Sequence, residues 1–341
     1  RFPLCSRLSR LTPPMSAMRR AGSRPLRLRP LRSTSRLLGN SGSWLSAQRV
    51  GVVGLGLMGH GIAQVAAEKG FDVTAVELEP RFLDSGMKRI TDSVKKLATK
   101  AVAKGKMTEA EASAHSEQTL SRITPSTDRS ALGECDLIIE AVVEDLSLKK
   151  PLYEEIGRMA SDTTVIASNT SSLPITKMGE FCGRPSQMVG LHFFNPVQMM
   201  ALVEVVRTEF TSSHAFGVAM DFTRAIGKTP VECIDTPGFV VNRLLVPYIC
   251  EAIRLVERGV AAPADVDVAM KLGSGHPMGP IQLADYVGLD TVLAIISGWK
   301  EAYPGEAIFA VPESLQAKVA EGKLGRKNGE GFYKWNGDKL A

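Results

Sequence analysis

The 341-residue chain reads as a doubly wound α/β domain with a helical excursion, followed by an all-α domain. Three observations predict this. A glycine-rich turn joins a short β-branched run to a helical pattern at residues 49–70. Apolar strands then alternate with helical stretches as far as residue 208, the order of a largely parallel sheet covered on both faces. From residue 235 the texture changes to successive amphipathic helices. The expected boundaries are 49–234 for the α/β domain and 235–341 for the helical one.

The first unit is "RVGVVGLGLMGHGIAQVAAEKG": a strand, then Gly54-x-Gly56-x-x-Gly59, then a helix ending at Gly70. "DVTAVE" forms the second strand and closes at Glu77. A βαβ unit with an acid about 20 residues beyond its glycines is a dinucleotide fingerprint, which makes this domain Rossmann-like. Gly54 permits the tight turn, Gly56 lets the backbone approach a pyrophosphate, and Gly59 lets the helix pack against the strand. The helix start adds free N–H groups and a partial positive charge. Glu77 is suited to the adenosine ribose hydroxyls and repels a 2′-phosphate, so the expected cofactor is NAD, with Arg81 as the opposing feature.

Residues 80–118 read as helix with a break near Gly105, too long an excursion for an ordinary βα loop. Strands follow at "DLIIEAV" (136–142), "TTVIAS" (163–168), "QMVGLHFF" (187–194) and "ALVEVVRT" (201–208), with a helix in "EDLSLKKPLYEEIGRMA". Polar residues gather at the ends of these strands: Glu140 and Glu144; Asn169, Thr170, Ser171 and Ser172; His192 and Asn195. In an open α/β sheet, ligands lie at the strands' carboxyl ends. His192, in "VGLHFFNPV", is either a core histidine with one satisfied hydrogen bond or a base at such a site. Glu204 interrupts an apolar run, where a carboxylate is costly unless paired. If it meets His192 it fixes the imidazole tautomer, as a general base requires. Otherwise it faces solvent on an edge strand.

The second domain opens at "IDTPGFVVNRLLVPYICEAIRLVERG", read as a helix capped by Asp235 or Thr236 with a bend at Pro247. "APADVDVAMKLG", "GPIQLADYVGLDTVLAIISGWKEA" and "PESLQAKVAEG" read as further helices. Asn242 lies near the junction, where an interdomain cleft would open. Extensive apolar helix faces suit a dimer interface.

Charge divides the chain sharply. Residues 1–48 hold ten arginines and no acid, so the overall +5 becomes −5 over residues 49–341. A mildly acidic folded part weighs against nucleic acid as partner. The Arg- and Ser-rich, acid-free segment has the composition of an organelle transit peptide, which predicts the mitochondrial matrix; another organelle or the cytoplasm is the alternative. Met15 or Met18 is the expected start. The scattered cysteines, at 5, 135, 182, 233 and 250, form no C-x-x-C pair and favour neither a zinc site nor a disulfide framework. No apolar run reaches the roughly 18 residues of a membrane span.

GLGLMG with Glu77, "NTSSLPIT", "GLHFFNP", "LVEVV", "DTPGFVVNRLLVPY", "HPMGPIQLADYVGLD" and "GRKNGEGFYKW" follow one another in order. In combination they resemble the monofunctional L-3-hydroxyacyl-CoA dehydrogenases over about residues 49–335. The resemblance implies His192 as catalytic base, Glu204 as its carboxylate partner, and Ser171 and Asn242 as the groups that hold the substrate's 3-oxygen. It implies that Glu144, Lys149, Asn195 and Lys327 line the NAD site, and that Ser93 and Lys100 contact coenzyme A. It further implies an acyl-CoA substrate, the reversible oxidation of (S)-3-hydroxyacyl-CoA in fatty acid β-oxidation, and a homodimer through the second domain.

The sequence departs from the family's pattern at Glu77, where Asp is usual, and at His60, expected to point to solvent. His276 and Gln282 replace a usual aromatic and a usual acid. One competing reading is a dehydrogenase of small free hydroxy acids, whose Gly-rich catalytic-lysine motif is missing here. Another is a sugar-acid dehydrogenase, which keeps His192 and Glu204 but has no use for Lys100. A third is an NAD-binding regulatory or structural subunit without turnover.

Overall fold

A computed structural model describes residues 48–341. The basic segment expected to direct import lies, apart from Gln48, outside the described residues.

β1 (Arg49–Val53), α1 (Gly59–Glu68) and β2 (Asp72–Val76) form the opening βαβ unit. The excursion follows as α2 (Pro80–Ala103) and α3 (Glu109–Ser121), parted at Gly105 as the sequence suggests. A reciprocal capping box starts α3: Glu111 N donates to Thr108 Oγ1 at 3.2 Å, and Thr108 N donates to Glu111 Oε2 at 2.8 Å. Next come β3 (Ile123–Ser126), β4 (Leu137–Glu140), α4 (Leu146–Met159), β5 (Val165–Ser168) and α5 (Ile175–Cys182). The domain ends with β6 (Met188–Phe193), β7 (Leu202–Arg207), α6 (Ser213–Ala225) and β8 (Thr229–Ile234).

The eight strands lie in the order β3-β2-β1-β4-β5-β6-β7-β8. The strand order reverses at β1, which pairs in parallel with both β2 and β4, so a crevice opens above its carboxyl end. β4, β5 and β6 are buried along their whole length, as near-continuous apolar strands are when helices cover both faces. One core, with Ile62, Ile139, Leu191 and Phe222, lies on the α1 and α6 side. The other packs Tyr153, Ile156 and Met178 of α4 and α5 against Ile138 and Ile166. The predicted fold class is the observed one, with a single antiparallel pairing, β6 on β7, inside an otherwise parallel sheet.

The helical part contains α7 (Val241–Glu257), α8 (Pro263–Ser274), α9 (Pro280–Val287), α10 (Leu289–Ala302) and α11 (Glu313–Ala320). The stretch expected to be helical over 279–302 is two helices, broken at Gly288, whose φ of 106° ends α9. The first long helix also begins later than its local cap signature suggests. Gly238 and Phe239 both have positive φ, so α7 starts only at Val241. Asp235 instead caps α5, accepting Ile175 N at 3.1 Å, Thr176 N at 2.8 Å and Thr176 Oγ1 at 2.7 Å. Two buried carboxylates brace this domain. Asp267 takes the N–H groups of Ile281 and Gln282 at the start of α9, while Asp285 takes Phe332 N, Tyr333 N and Trp335 Nε1. No single helix among the described residues is long and apolar enough to cross a membrane.

Candidate active site

The glycine loop leaves a cradle whose shape fits a dinucleotide. A Cβ on Gly59 would lie 1.7 Å from the Gly54 carbonyl oxygen, and one on Gly54, at φ 89°, would lie 2.9 Å from that of Ala141. A Cβ on Gly56 would meet nothing within 4 Å, so the packing of the chain does not require this glycine. Its missing side chain keeps open the space a pyrophosphate needs. The N-terminus of α1 has no side-chain cap and no acid in its first turn, leaving its N–H groups for an anion. Glu77 stands at the end of β2 and turns back to the loop, accepting Leu55 N at 2.6 Å and Leu78 N at 3.2 Å. Arg81 pairs with Glu79 at 2.7 Å, not with Glu77. His60, expected to point to solvent, places Nδ1 2.7 Å from the Gly56 carbonyl and so helps to hold the loop. These residues fit NAD: an anion site at the loop and a carboxylate beyond it for the ribose.

At the carboxyl end of β6, His192 is the direct cross-strand partner of Glu204 on β7. Nδ1 lies 2.7 Å from Glu204 Oε2, and both side chains are almost wholly buried. The second carboxylate oxygen, Oε1, accepts Val240 N at 3.0 Å and Val241 N at 2.8 Å, the free N–H groups at the start of α7. Burial pushes the Glu204 carboxyl up, but His192 and these two backbone donors outweigh it and hold the group below the usual carboxylate range. An ionised Glu204 accepts a hydrogen bond from Nδ1–H, which keeps the proton on Nδ1 and leaves Nε2 as the acceptor. Ser171 Oγ lies 3.1 Å from that Nε2. The solvent-facing, edge-strand alternative for Glu204 is excluded, because its side chain is fully buried and β8 pairs along the far side of β7.

Glu144 organises the loop that presents Ser171. Its Oε1 accepts Ser171 N at 2.8 Å, Ser172 N at 3.3 Å and the Thr170 hydroxyl. Asn169 ties the same loop to the histidine strand, its Oδ1 accepting Phe193 N at 2.9 Å.

The remaining expected residues fall at different depths. Asn242 is in the first turn of α7, beside the N–H groups that hold Glu204. Asn195 is exposed just past β6, in a cis peptide with Pro196. Ser93 and Lys100 lie two turns apart on α2, Ser93 bonded at 3.3 Å to Gln198 and Lys100 exposed. Lys149, expected to line the cofactor site, has its ammonium 2.6 Å from Glu140 and 3.4 Å from Glu144, with 1% of the side chain exposed. Lys327 lies in the helical domain, ion-paired to Asp290 against Gly288.

Two features escape sequence reasoning. Phe239, at φ 51°, packs its ring 5.5 Å from that of His192, and Phe194 packs at 4.6 Å. Buried Glu140 accepts Lys149, Val142 N, Tyr153 Oη and Ser168 Oγ, all at 2.6–2.8 Å. A Glu at a strand end followed nine residues later by a helical Lys is the faint sequence trace of that cluster.

The family model for the 3-hydroxyacyl-CoA dehydrogenase NAD-binding domain matches residues 49–236, and that for the C-terminal domain matches residues 238–335. The chain is 50% identical over 291 residues to mitochondrial hydroxyacyl-coenzyme A dehydrogenase of Rattus norvegicus, covering 84% of this chain and 91% of the relative. Its identity to the Homo sapiens protein of the same name is 47% over 304 residues, 89% of this chain and 96% of the relative. The crystal structure of (S)-3-hydroxybutyryl-CoA dehydrogenase from Ralstonia eutropha superposes with a TM-score of 0.80 at 37% identity, over 85% of this chain and all of that one. The chain belongs to the 3-hydroxyacyl-CoA dehydrogenase family and carries both of its domains.

Proposed function

We propose that the protein catalyses the reversible NAD-dependent oxidation of (S)-3-hydroxyacyl-CoA to 3-ketoacyl-CoA, with His192 as the general base. The observation that carries this reading is the line from Ser171 Oγ through His192 to Glu204 and the start of α7. NAD, bound in the glycine cradle, supplies the hydride acceptor. His192 Nε2 takes the proton of the 3-hydroxyl, and the imidazolium is stabilised by the ionised Glu204 held on Nδ1. Ser171 shares the Nε2 position and, with Asn242, orients the reacting oxygen, where small displacements are costly in rate. In the reverse direction the same imidazolium returns the proton.

The exposed ammonium of Lys100 suits a phosphate of coenzyme A as a flexible point charge, with Ser93 on the same face of α2. Glu144, Asn195 and Lys327 are assigned to NAD on family resemblance. Domain limits of 49–234 and 235–341 follow the end of the sheet at Ile234. Exposed Leu244, Val268 and Leu272 support a homodimer through the helical domain. Mitochondrial relatives and the acid-free arginine-rich segment support work in the matrix after import.

Initial rates with acetoacetyl-CoA and NADH, set beside gulonate with NAD, test the reading. Turnover of the thioester and not of the sugar acid is expected; the converse, or turnover of neither, overturns it.

A further inference from the structure

Ser93 ends a line of side-chain hydrogen bonds to which the proposed hydride transfer gives no task. Gln198 lies in the turn after β6, six residues beyond His192. Its Nε2 donates twice, to Gln64 Oε1 on α1 at 2.8 Å and to Ser93 Oγ on α2 at 3.3 Å. Gln64 is fully buried, and its own Nε2 donates to Glu68 Oε1 at 2.8 Å. The turn that presents Gln198 is itself pinned. Lys228 Nζ donates to the carbonyls of Val197 at 2.5 Å and Met200 at 2.7 Å, and Met199 N closes on Pro196 O at 2.9 Å. Gly61 lets the turn lie close against α1. A Cβ there would stand 2.8 Å from Val197 Cβ and 3.2 Å from Gln198 Nε2.

The direction of each bond follows from the far end of the line. A carboxylate only accepts, so Glu68 draws the amide nitrogen of Gln64 and turns its oxygen to Gln198. A buried amide oxygen without a donor is costly, so the Gln198 nitrogen is held against it. The second hydrogen of that nitrogen falls on Ser93 Oγ, which therefore accepts and keeps its own hydrogen for another acceptor. Lys100, exposed two turns on along the same face of α2, adds a positive charge. A hydroxyl donor and an ammonium together suit a phosphate oxygen. We propose that Gln198 is a positioning residue for the coenzyme A end of the substrate, setting Ser93 as a hydrogen-bond donor toward it. The proposal rests on the acyl-CoA reading above and adds the turn after the histidine strand to recognition of the thioester's nucleotide part.

The test is steady-state reduction by NADH of acetoacetyl-CoA and of acetoacetyl-pantetheine, the same thioester without the nucleotide. It is run on the unaltered protein, Gln198→Met, Ser93→Ala and the double variant, with NADH affinity titrated on each. Gln198→Met is expected to raise KM for acetoacetyl-CoA about 3- to 10-fold, the effect of a weakened hydrogen bond. Neither kcat nor NADH affinity should change by more than about 2-fold. KM for acetoacetyl-pantetheine should not move. The double variant should show a KM for acetoacetyl-CoA hardly above that of Ser93→Ala alone, because both changes remove one interaction. Gln64→Met removes the acceptor that fixes the Gln198 amide, and the same pattern is expected of it if Gln198→Met does not fold. An unchanged KM for acetoacetyl-CoA overturns the proposal, as do multiplying losses, a fall in kcat, or an equal rise in KM for both thioesters. An unaltered protein that turns over neither thioester overturns the functional reading with it.

Discussion

Glu204 faces two obligations at once, and its geometry meets both. One oxygen orients the imidazole of His192, and the other satisfies two N–H groups at the start of α7. Glu204→Gln puts an amide nitrogen toward either those N–H donors or the Nδ1 proton, so one contact is lost whichever way it turns. It should lower kcat by about 10²-fold or more and destabilise the fold by about 1–3 kcal/mol, measured by steady-state rates and by denaturant titration. The pH dependence has a definite sign. The folded carboxyl titrates below its ordinary value of 4.5, so its contribution to stability is complete above that value and is lost as pH falls through the folded one. Denaturant midpoints taken downward from pH 5 should fall less steeply in the Gln variant than in the unaltered protein.

At the scale of elements, the junction between the two domains depends on which helix each polar group caps. Asp235 lies six residues before α7 and looks like its cap, yet it serves α5, some 60 residues earlier in sequence. Asp235→Ala should cost about 1 kcal/mol, seen as a lower denaturant midpoint. Removal of an α7 cap would instead disturb Glu204 and activity first. The pattern of the chain made most of the sheet legible, because β1, β4, β5 and β6 are apolar over most of their length, with polar groups only at or near their ends. Two strands were not legible, β3 and β8. Each carries a proline and is largely exposed, as an edge strand can be. That omission left Glu204 ambiguous, since β8 is what turns β7 from an edge into an interior strand. His192 and Ser171 were legible from their motifs. Phe239 was not, because its place against the imidazole depends on a backbone turn that nothing in its residue type announces.

Across the whole molecule, the proposed catalysis requires that the sheet and the helices keep one geometry, since His192 and Ser171 come from the sheet while the N–H groups on Glu204 come from the start of α7. The helical part is braced by Asp285, whose two oxygens reach across to the C-terminal segment at Phe332, Tyr333 and Trp335. Burial, opposed by these three donors, leaves the Asp285 carboxyl above its ordinary 3.8. A raised folded value means that its contribution is complete below the unfolded value and declines as pH rises through the folded one. Asp285→Asn should remove that decline from the stability profile just above pH 4. It should also cost about 1–3 kcal/mol, because an amide nitrogen then faces an N–H donor. Calorimetry across that range checks both.

In the proposed reaction His192, held by Glu204, moves the proton of the 3-hydroxyl. The most direct test of this step is the rate of acetoacetyl-CoA reduction by NADH in the unaltered protein and in His192→Ala, with NADH affinity measured on both. A fall in kcat of about 10²- to 10⁴-fold with NADH affinity retained is expected. An unchanged kcat in His192→Ala would contradict it.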